Sequence, residues 1–327
     1  MARIAIITDA WEPQINGVVT TYKNTAEQLT KLGHYCQIEH PKQFFFKTVP
    51  LPGYKEIRVV INPWQLKHSL NYYITNGWNI HIATEGPIGL YARLYLSWKK
   101  YPFTTCYHSK FPEFIKARTG IKTKFTYPYF KWFHKLSKCV MVPTIGMKEE
   151  LEQKGFKRVK VWTRGVDTDL YRPIKIVRPY ILCVSRVSAE KNLEAFCELS
   201  YRDKVLVGDG PQLAELKAKY PKVLFTGALS GLELAQMYSE ASAFVFPSQN
   251  DTFGLVMLES IASGTPVAAL PGPGANEVID GTNGCISMDL DAAVQNCLTL
   301  NRGKVWESSW KWTWVKATEN FLKNIIN

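Results

Sequence analysis

Residues 243–270 read AFVFPSQNDTFGLVMLESIASGTPVAAL. The run 243–246 is apolar, of strand length and without a polar face, the pattern of a strand buried on both sides. A polar turn comes next at 247–250, and from Asp251 a segment of helix length runs to about Gly264. A second apolar run at 267–270 completes a strand–helix–strand unit. Strands alternating with helix-length segments are the sequence pattern of a parallel sheet covered by helices.

The same alternation extends over the whole chain. Strands are predicted at 3–8, 57–61, 79–84, 103–107 and 139–142, then at 180–184, 205–207, 223–225, 243–246 and 267–270, with amphipathic segments between them. At 327 residues the chain is long enough for two domains, each able to bury its own core. Residues 163–179, polar and carrying Pro173 and Pro179, are the best candidate linker. In open parallel sheets ligands bind beyond the carboxyl ends of the strands. The residues at those ends therefore bear on function: Thr8-Asp9, Glu85-Gly86, His108, Pro143-Thr144, Ser185-Arg186, Gly208-Asp209-Gly210, Pro247-Ser248 with Asp251, and Pro271-Gly272. Nearly every strand in both halves ends on polar, charged or glycine-rich positions.

Composition narrows the function classes. With 46% hydrophobic and 21% charged residues the chain reads as globular rather than disordered. No apolar run approaches the ~20 residues of a membrane span. The N-terminal apolar run stops at Ile7, so it reads as a first strand of a cytoplasmic protein and not as a secretory leader. Seven cysteines without a C-x-x-C pair, mostly inside apolar runs, suit a reducing compartment, and no structural metal is expected. A net charge of +12 calls for an anionic partner. No zinc-finger, helix-turn-helix or RNA-recognition pattern favours nucleic acid, which leaves an anionic membrane surface and a phosphorylated substrate.

Chemistry concentrates in a few blocks. Seven residues separate Asp251 from Glu259; on one helix the two carboxylates would lie about two turns apart on a shared face. The backbone N–H groups of Phe253, Gly254 and Leu255 at the helix start suit an anion or a sugar hydroxyl. The plainer reading makes Asp251 an N-cap and Glu259 a solvated helix residue. SRVSAEKNLE (185–194) brings Ser185, Arg186 and Lys191 after a strand, and VGDGP (207–211) places Gly208 and Gly210 in a turn. TDAWEPQINGVVTT (8–21) carries Asn16 and Gly17 at the start of a helix expected over 18–32, and TCYHSKFPEF (105–114) puts His108 at a strand end.

Taken together, from residue 3 to about 323, these blocks resemble glycosyltransferase family 4. DTFGLVMLESIASGTPV (251–267) is similar to its signature of two acidic residues seven apart followed by small residues ending Gly-x-Pro-Val. TDAW and DTFG look most like the subgroup with sulfoquinovosyl-diacylglycerol synthases and bacterial diacylglycerol glycosyltransferases, although much of the family has Glu at Asp251. The resemblance implies an α/β protein of two facing Rossmann-like domains with a cleft between them, the GT-B fold. It implies an acceptor-binding domain at 1–166, a nucleotide-sugar-binding domain at 167–310, and a C-terminal segment 311–327 whose helix, 313–326, returns to the first domain.

The implied reaction is retaining, metal-independent hexosyl transfer from a nucleotide-sugar donor, UDP-glucose first. Arg186 and Lys191 would hold the diphosphate, whose departing charge fixed cations stabilise. Asp251 would hold sugar hydroxyls, Glu259 the nucleotide ribose, Gly17 with Asn16 the phosphates from the opposite side, and His108 the transferring sugar. No cofactor or metal is expected. Asp167-Thr168-Asp169 resembles a metal-binding pair, but it lies in RGVDTDLYRP (164–173), a block the family also has without that role. The absence of Gly-x-Gly-x-x-Gly after the first strand and of a Gly-Lys-Ser/Thr loop argues against dehydrogenase and ATPase chemistry.

Two segments bear on the acceptor. Residues 44–47, FFFK, and 127–138, YPYFKWFHKLSK, combine aromatic bodies with lysines, which suits the headgroup level of an anionic membrane, although aromatics more commonly pack a core. With the subgroup resemblance, the expectation is a lipid acceptor such as diacylglycerol and a peripheral position at the inner face of the cytoplasmic membrane. The competing readings are a GDP-mannose-dependent mannosyltransferase on another lipid or glycan, a nucleotide-sugar epimerase, and a non-catalytic nucleotide-sugar-binding protein.

Overall fold

The computed structural model describes residues 1–326 apart from 13, 15, 44–47 and 52–53. The FFFK run therefore lies outside the described residues. The chain divides into two compact units, Met1–Thr163 with Ala317–Asn327, and Arg164–Lys316.

The first unit contains β1 (Arg3–Ile7), β2 (Tyr35–Glu39), β3 (Thr48–Leu51), β4 (Tyr54–Val60), β5 (Asn79–Ile82), β6 (Phe103–Cys106), β7 (Val140–Val142) and β8 (Val159–Val161). Six of these form a parallel sheet in the order β2-β1-β5-β6-β7-β8. The strand predicted at 57–61 is not part of that sheet. It belongs to β4, which pairs antiparallel with β3 as a separate two-stranded ribbon. The connection from β3 to β4 is far too short for the helical crossover that a parallel pairing needs.

The helix Gly17–Lys31 shows how sequence sets the local fold. Asn16 caps it, its side chain accepting from the amides of Val18 and Val19. Val19, Tyr22, Thr25 and Leu29 are buried at helical spacing, and Gly33 at φ +79° turns the chain into β2. The segment Ala317–Ile326 of the C-terminal helix packs on this same unit. Phe321 is fully buried with its ring 4.7 Å from that of Trp162, Trp162 Nε1 donates to Ala317 O at 3.0 Å, and Asn324 Nδ2 donates to Val161 O at 3.0 Å.

The second unit contains β9 (Ile181–Val184), β10 (Lys204–Val207), β11 (Leu224–Gly227), β12 (Ala243–Phe246), β13 (Val267–Ala269) and β14 (Gly284–Ile286). All pair in parallel, in the order β11-β10-β9-β12-β13-β14. From β9 the chain adds strands outward on one side, then returns to place β12 on the other, which makes the β9/β12 edge the topological switch point of a Rossmann-type sheet. The same reversal in the first unit lies between β1 and β5. Residues 164–179 are built into the second unit rather than forming a loose linker. Val166 donates to Trp312 O at 2.9 Å and bridges in parallel to Thr313, and both Val166 and Tyr171 are buried.

Candidate active site

At the switch point of the second sheet, Lys191 Nζ lies 2.6 Å from Asp251 Oδ1, with both side chains about 20% exposed. Local structure brings the two loops together. After β9 the chain makes a 3₁₀ turn, Ala189–Lys191, and ends it with Asn192 in the left-handed region at φ +53°. Asn192 Nδ2 then donates to Pro247 O at 3.2 Å, tying this turn to the end of β12. A charge-assisted hydrogen bond as short as that between Lys191 and Asp251 is strong, yet partial exposure leaves both groups within reach of a ligand. Arg186 does not join Lys191 as a bare cation pair: its Nη2 bonds Glu190 Oε1 at 2.6 Å, which also accepts from Ser188 Oγ at 2.7 Å.

The glycine turn after β10 packs directly against the loop after β9. A Cβ on Gly208, at φ +147°, would come within 1.8 Å of Ser185 O. One on Gly210, at φ +156°, would come within 2.3 Å of Val187 O. No larger residue fits at either place, so Ser185 and Arg186 are held between two fixed backbones. Ser185 Oγ donates to Arg186 O at 3.1 Å.

The expectation that the helix opens at Asp251 needs correction. It spans Leu255–Ala262, with Gly254 at its N-cap in the left-handed region at φ +86° and no side chain capping it. Asp251 therefore stands in the loop before the helix, and its distance from Glu259 is not that of two helical turns. Freed from capping, its carboxylate meets Lys191 instead. Among the described residues, the amides of Phe253, Gly254 and Leu255 have no acceptor within the protein. Gly274 holds the loop from behind: its amide donates to Asp251 O at 3.2 Å, and a Cβ there would stand 2.2 Å from Phe253 O. The Ser248 hydroxyl, at the end of β12, is buried without a hydrogen-bond partner among the described residues.

Glu259 sits in the middle of the helix, held by two tyrosines. Tyr238 OH donates to its Oε2 at 2.9 Å, and Tyr171 forms a further side-chain hydrogen bond. Burial pushes the Glu259 carboxyl up to about 7 in spite of those two bonds, which pull it down. Neither tyrosine stands out in the sequence. Tyr171 lies inside RGVDTDLYRP, while Tyr238, on the helix Gly231–Glu240, carries no local signal at all. In the same block as Tyr171, Asp167 Oδ1 accepts from the amides of Asp169 and Leu170 at 3.0 and 3.1 Å, which is turn-capping geometry.

The remaining candidates lie in the first unit. Asn16 is the N-cap of the helix Gly17–Lys31, and Gly17 is its first residue, with a carbonyl that accepts from Thr21 Oγ1 at 2.6 Å. His108 lies just past β6, is 9% exposed, and bonds Tyr22 OH through Nε2 at 2.8 Å. The structure thus brings Ser185, Arg186, Lys191, Gly208, Gly210, Asp251 and Phe253–Leu255 to one sheet edge, with Glu259 one turn along the helix. Asn16, Gly17 and His108 belong to the other unit.

A profile described as Glycosyltransferase Family 4 matches residues 15–170, and one described as Glycosyl transferases group 1 matches residues 178–302. The chain is 28% identical to an alpha-monoglucosyldiacylglycerol synthase of Streptococcus pneumoniae over 85% of its own length and 73% of that protein's. It is 25% identical to a GDP-mannose-dependent alpha-mannosyltransferase of Mycobacterium tuberculosis, over 85% of this chain and 81% of that one. With a sulfoquinovosyl transferase of Arabidopsis thaliana it shares 26% identity across 87% of this chain and 59% of the other. Among solved structures, the sucrose-phosphate synthase of Thermosynechococcus elongatus superposes with a TM-score of 0.78 at 19% identity, covering 99% of this chain and 98% of that one. The two matching profiles fall one on each half of the chain, and the fold agrees with solved glycosyltransferases along its whole length. The chain belongs to glycosyltransferase family 4 and has the GT-B fold.

Proposed function

We propose that this glycosyltransferase moves a hexose, with retention, from a nucleotide diphosphate sugar to a lipid acceptor such as diacylglycerol. The observation that carries the reading is the Lys191–Asp251 pair beside an uncapped helix start at the switch point of the second sheet. A nucleotide diphosphate sugar supplies matching partners for these groups: phosphate oxygens for Lys191 and Arg186, hydroxyls for Asp251 and for the amides of Phe253–Leu255, and a ribose diol for Glu259. As the glycosidic bond breaks, negative charge grows on the diphosphate, and the two fixed cations stabilise it without calling on a metal. Asn16 and Gly17 are assigned to the diphosphate and His108 to the transferring sugar. The second unit is then the donor domain and the first the acceptor domain.

UDP-glucose is the first donor to test. Anabaena HepE, solved with UDP-glucose, shares the fold with a TM-score of 0.70 at 14% identity, a likeness of fold alone. GDP-mannose is the second, given the mycobacterial relative.

The acceptor assignment draws on the helix Thr123–His134. Phe130, Phe133 and His134 turn into the core, while Phe125, Tyr129 and Trp132 are exposed, with Ile121 and Leu136 exposed at the flanks. Lys122, Lys124, Lys131, Lys135 and Lys138 lie among them in the sequence. Apolar rings among ammonium groups suit the interface of an anionic bilayer. Among the described residues no helix is long and apolar enough to cross one.

The test is to incubate the purified protein with a panel of UDP- and GDP-sugars and diacylglycerol vesicles, with and without EDTA, and to identify lipid products by mass spectrometry. An α-hexosyl lipid formed equally with and without chelator is expected. An epimerised free sugar nucleotide without acceptor, or donor binding with no turnover on any lipid or glycan, would overturn the reading. Flotation with anionic vesicles should carry the protein at low salt, and Phe125→Ser with Trp132→Ser should reduce the floated fraction several-fold.

A further inference from the structure

His108 is the end of a buried hydrogen-bonded chain that begins on another element. Tyr22 OH lies 2.8 Å from His108 Nε2 and also 2.8 Å from His81 Nε2, and His81 Nδ1 lies 2.8 Å from Thr104 Oγ1. Tyr22 and His81 are fully buried, Thr104 is 2% exposed and His108 is 9% exposed. The two histidine rings pack edge to face against Trp162, and that of His81 against Phe321 as well, so neither can swing away from Tyr22 without opening the core.

Proton counting gives this chain a property that no single member has. A tyrosine hydroxyl has one proton to donate, and here it stands between two imidazole nitrogens. With neutral rings, one histidine must receive that proton at Nε2 while the other must present Nε2–H to the tyrosine oxygen. If Tyr22 donates to His81, then His81 carries its own proton on Nδ1, facing Thr104, and His108 is the Nε2–H tautomer. If Tyr22 donates to His108, the assignment reverses: Thr104 O–H donates to His81 Nδ1, and His108 carries its proton on Nδ1. The two histidines are thus locked to opposite tautomers, and Thr104 takes a definite role in each.

We propose that Tyr22, His81 and Thr104 are positioning residues that fix the ring orientation and tautomer of His108, and so decide whether its Nδ1 meets a substrate hydroxyl as donor or acceptor. The proposal rests on the assignment of His108 to the transferring sugar. The residues come from the helix Gly17–Lys31, β5 and β6, and nothing local in the sequence joins them.

The test uses the full-length protein labelled with ¹⁵N at histidine, and it reads the imidazole nitrogens directly, whether or not a substrate is known. In the wild type His81 and His108 should each show one tautomer, opposite in kind. Tyr22→Phe keeps the ring and its packing but removes both bonds; the His108 nitrogens should shift toward a mixture of tautomers. Thr104→Val should perturb His108 at a distance, through His81 and Tyr22, and Thr104→Ser should restore the wild-type pattern. Once the transfer assay has identified donor and acceptor, kcat of Tyr22→Phe should fall about tenfold with donor KM within about twofold. Unchanged His108 signals in Tyr22→Phe, the same tautomer for both histidines in the wild type, or failure of Thr104→Ser to rescue would overturn the proposal. If Tyr22→Phe fails to fold, the Thr104 pair decides it alone. Absence of transfer with every donor would instead sink the functional reading and leave the tautomer result standing.

Discussion

The two parallel sheets reverse direction at comparable places, and each puts a carboxylate there, but the carboxylates do opposite things. At the β1/β5 switch Asp9 is absorbed by the backbone: Oδ1 accepts from Ile88 N at 2.8 Å, Oδ2 from Gly89 N at 3.1 Å and from Thr84 Oγ1 at 2.8 Å. It caps the helix Pro87–Trp98, and Gly86 is needed there because a Cβ would stand 2.5 Å from the carboxylate carbon. At the β9/β12 switch, Gly254 takes the N-cap position in the left-handed region, the amides at the helix start stay available, and Asp251 meets Lys191 in a partly exposed pair. Both helices have a glycine at the N-cap, so the difference lies in the carboxylates: Asp9 occupies the amides at the first helix start, whereas Asp251 turns to Lys191 and leaves those at the second open.

The largest effect should come from the cations of the second switch. Lys191→Ala and Arg186→Ala should each lower kcat by about 10²–10³ with smaller changes in donor KM, since their target is charge formed in the transition state. Near-normal steady-state rates in both variants would sink the assignment. Lys191→Ala also leaves Asp251 without its cation, so its donor binding should suffer more than that of Arg186→Ala, whose Glu190 neighbour retains Ser188.

A smaller effect sharpens the role of Glu259. A ribose diol donates two hydrogen bonds, which only the ionised carboxylate can accept in full. With the free carboxyl raised to about 7 by burial, the binding-competent form is depleted as pH falls. Donor affinity should therefore drop by up to about tenfold between about pH 7.5 and about pH 6, and Glu259→Gln should bind more weakly and remain flat over the same range. Calorimetry at the two pH values decides the matter; a wild-type profile as flat as that of the variant would mean that Glu259 does not hold the donor.

The second unit is more legible in the sequence than the first. Its six strands are linked by compact helical crossovers, so apolar runs and punctuation mark five of them directly; β14 escapes because Gly284-Cys285-Ile286 is too short to show a pattern. In the first unit the apolar run at 57–61 reads as one more member of the parallel alternation, because periodicity reports burial and not partner. β2 gives no signal, since Tyr35–Glu39 is half-exposed and mixes Gln and Glu into the strand. The candidate site is visible as residue types at strand ends, and the meeting of Lys191 with Asp251 comes from topology alone. The supporting residues are not visible in either unit: Tyr171 and Tyr238 beside Glu259 in the second, and Tyr22 and His81 beside His108 in the first, lie far apart in the chain and are ordinary core residues by composition. The position of Asp251 in a loop is hidden too, because Gly254, which reads as part of a helix start, is the residue that delays the helix.

The smallest effect separates the capping carboxylate from the one proposed to hold the donor. Asp9→Ala leaves the amides of Ile88 and Gly89 and the Thr84 hydroxyl without their acceptor, a loss of about 1–2 kcal/mol by the usual worth of an N-cap. Burial, with Glu85 adding to it, raises the Asp9 carboxyl from 3.8 to about 6 despite these bonds. A folded-state value above the unfolded one means that the contribution of Asp9 to stability is complete below pH 3.8 and is eroded as pH rises through 6. Urea unfolding should accordingly show a wider gap between wild type and Asp9→Ala at about pH 5 than at about pH 8. Asp251→Ala, at the other switch, caps no helix and should change the midpoint little at either pH while abolishing most transfer. An equal gap for Asp9→Ala at both pH values would show that its carboxyl titrates as a solvated group, and the contrast between the two switch points would then rest on the partners of the two carboxylates and not on their titration.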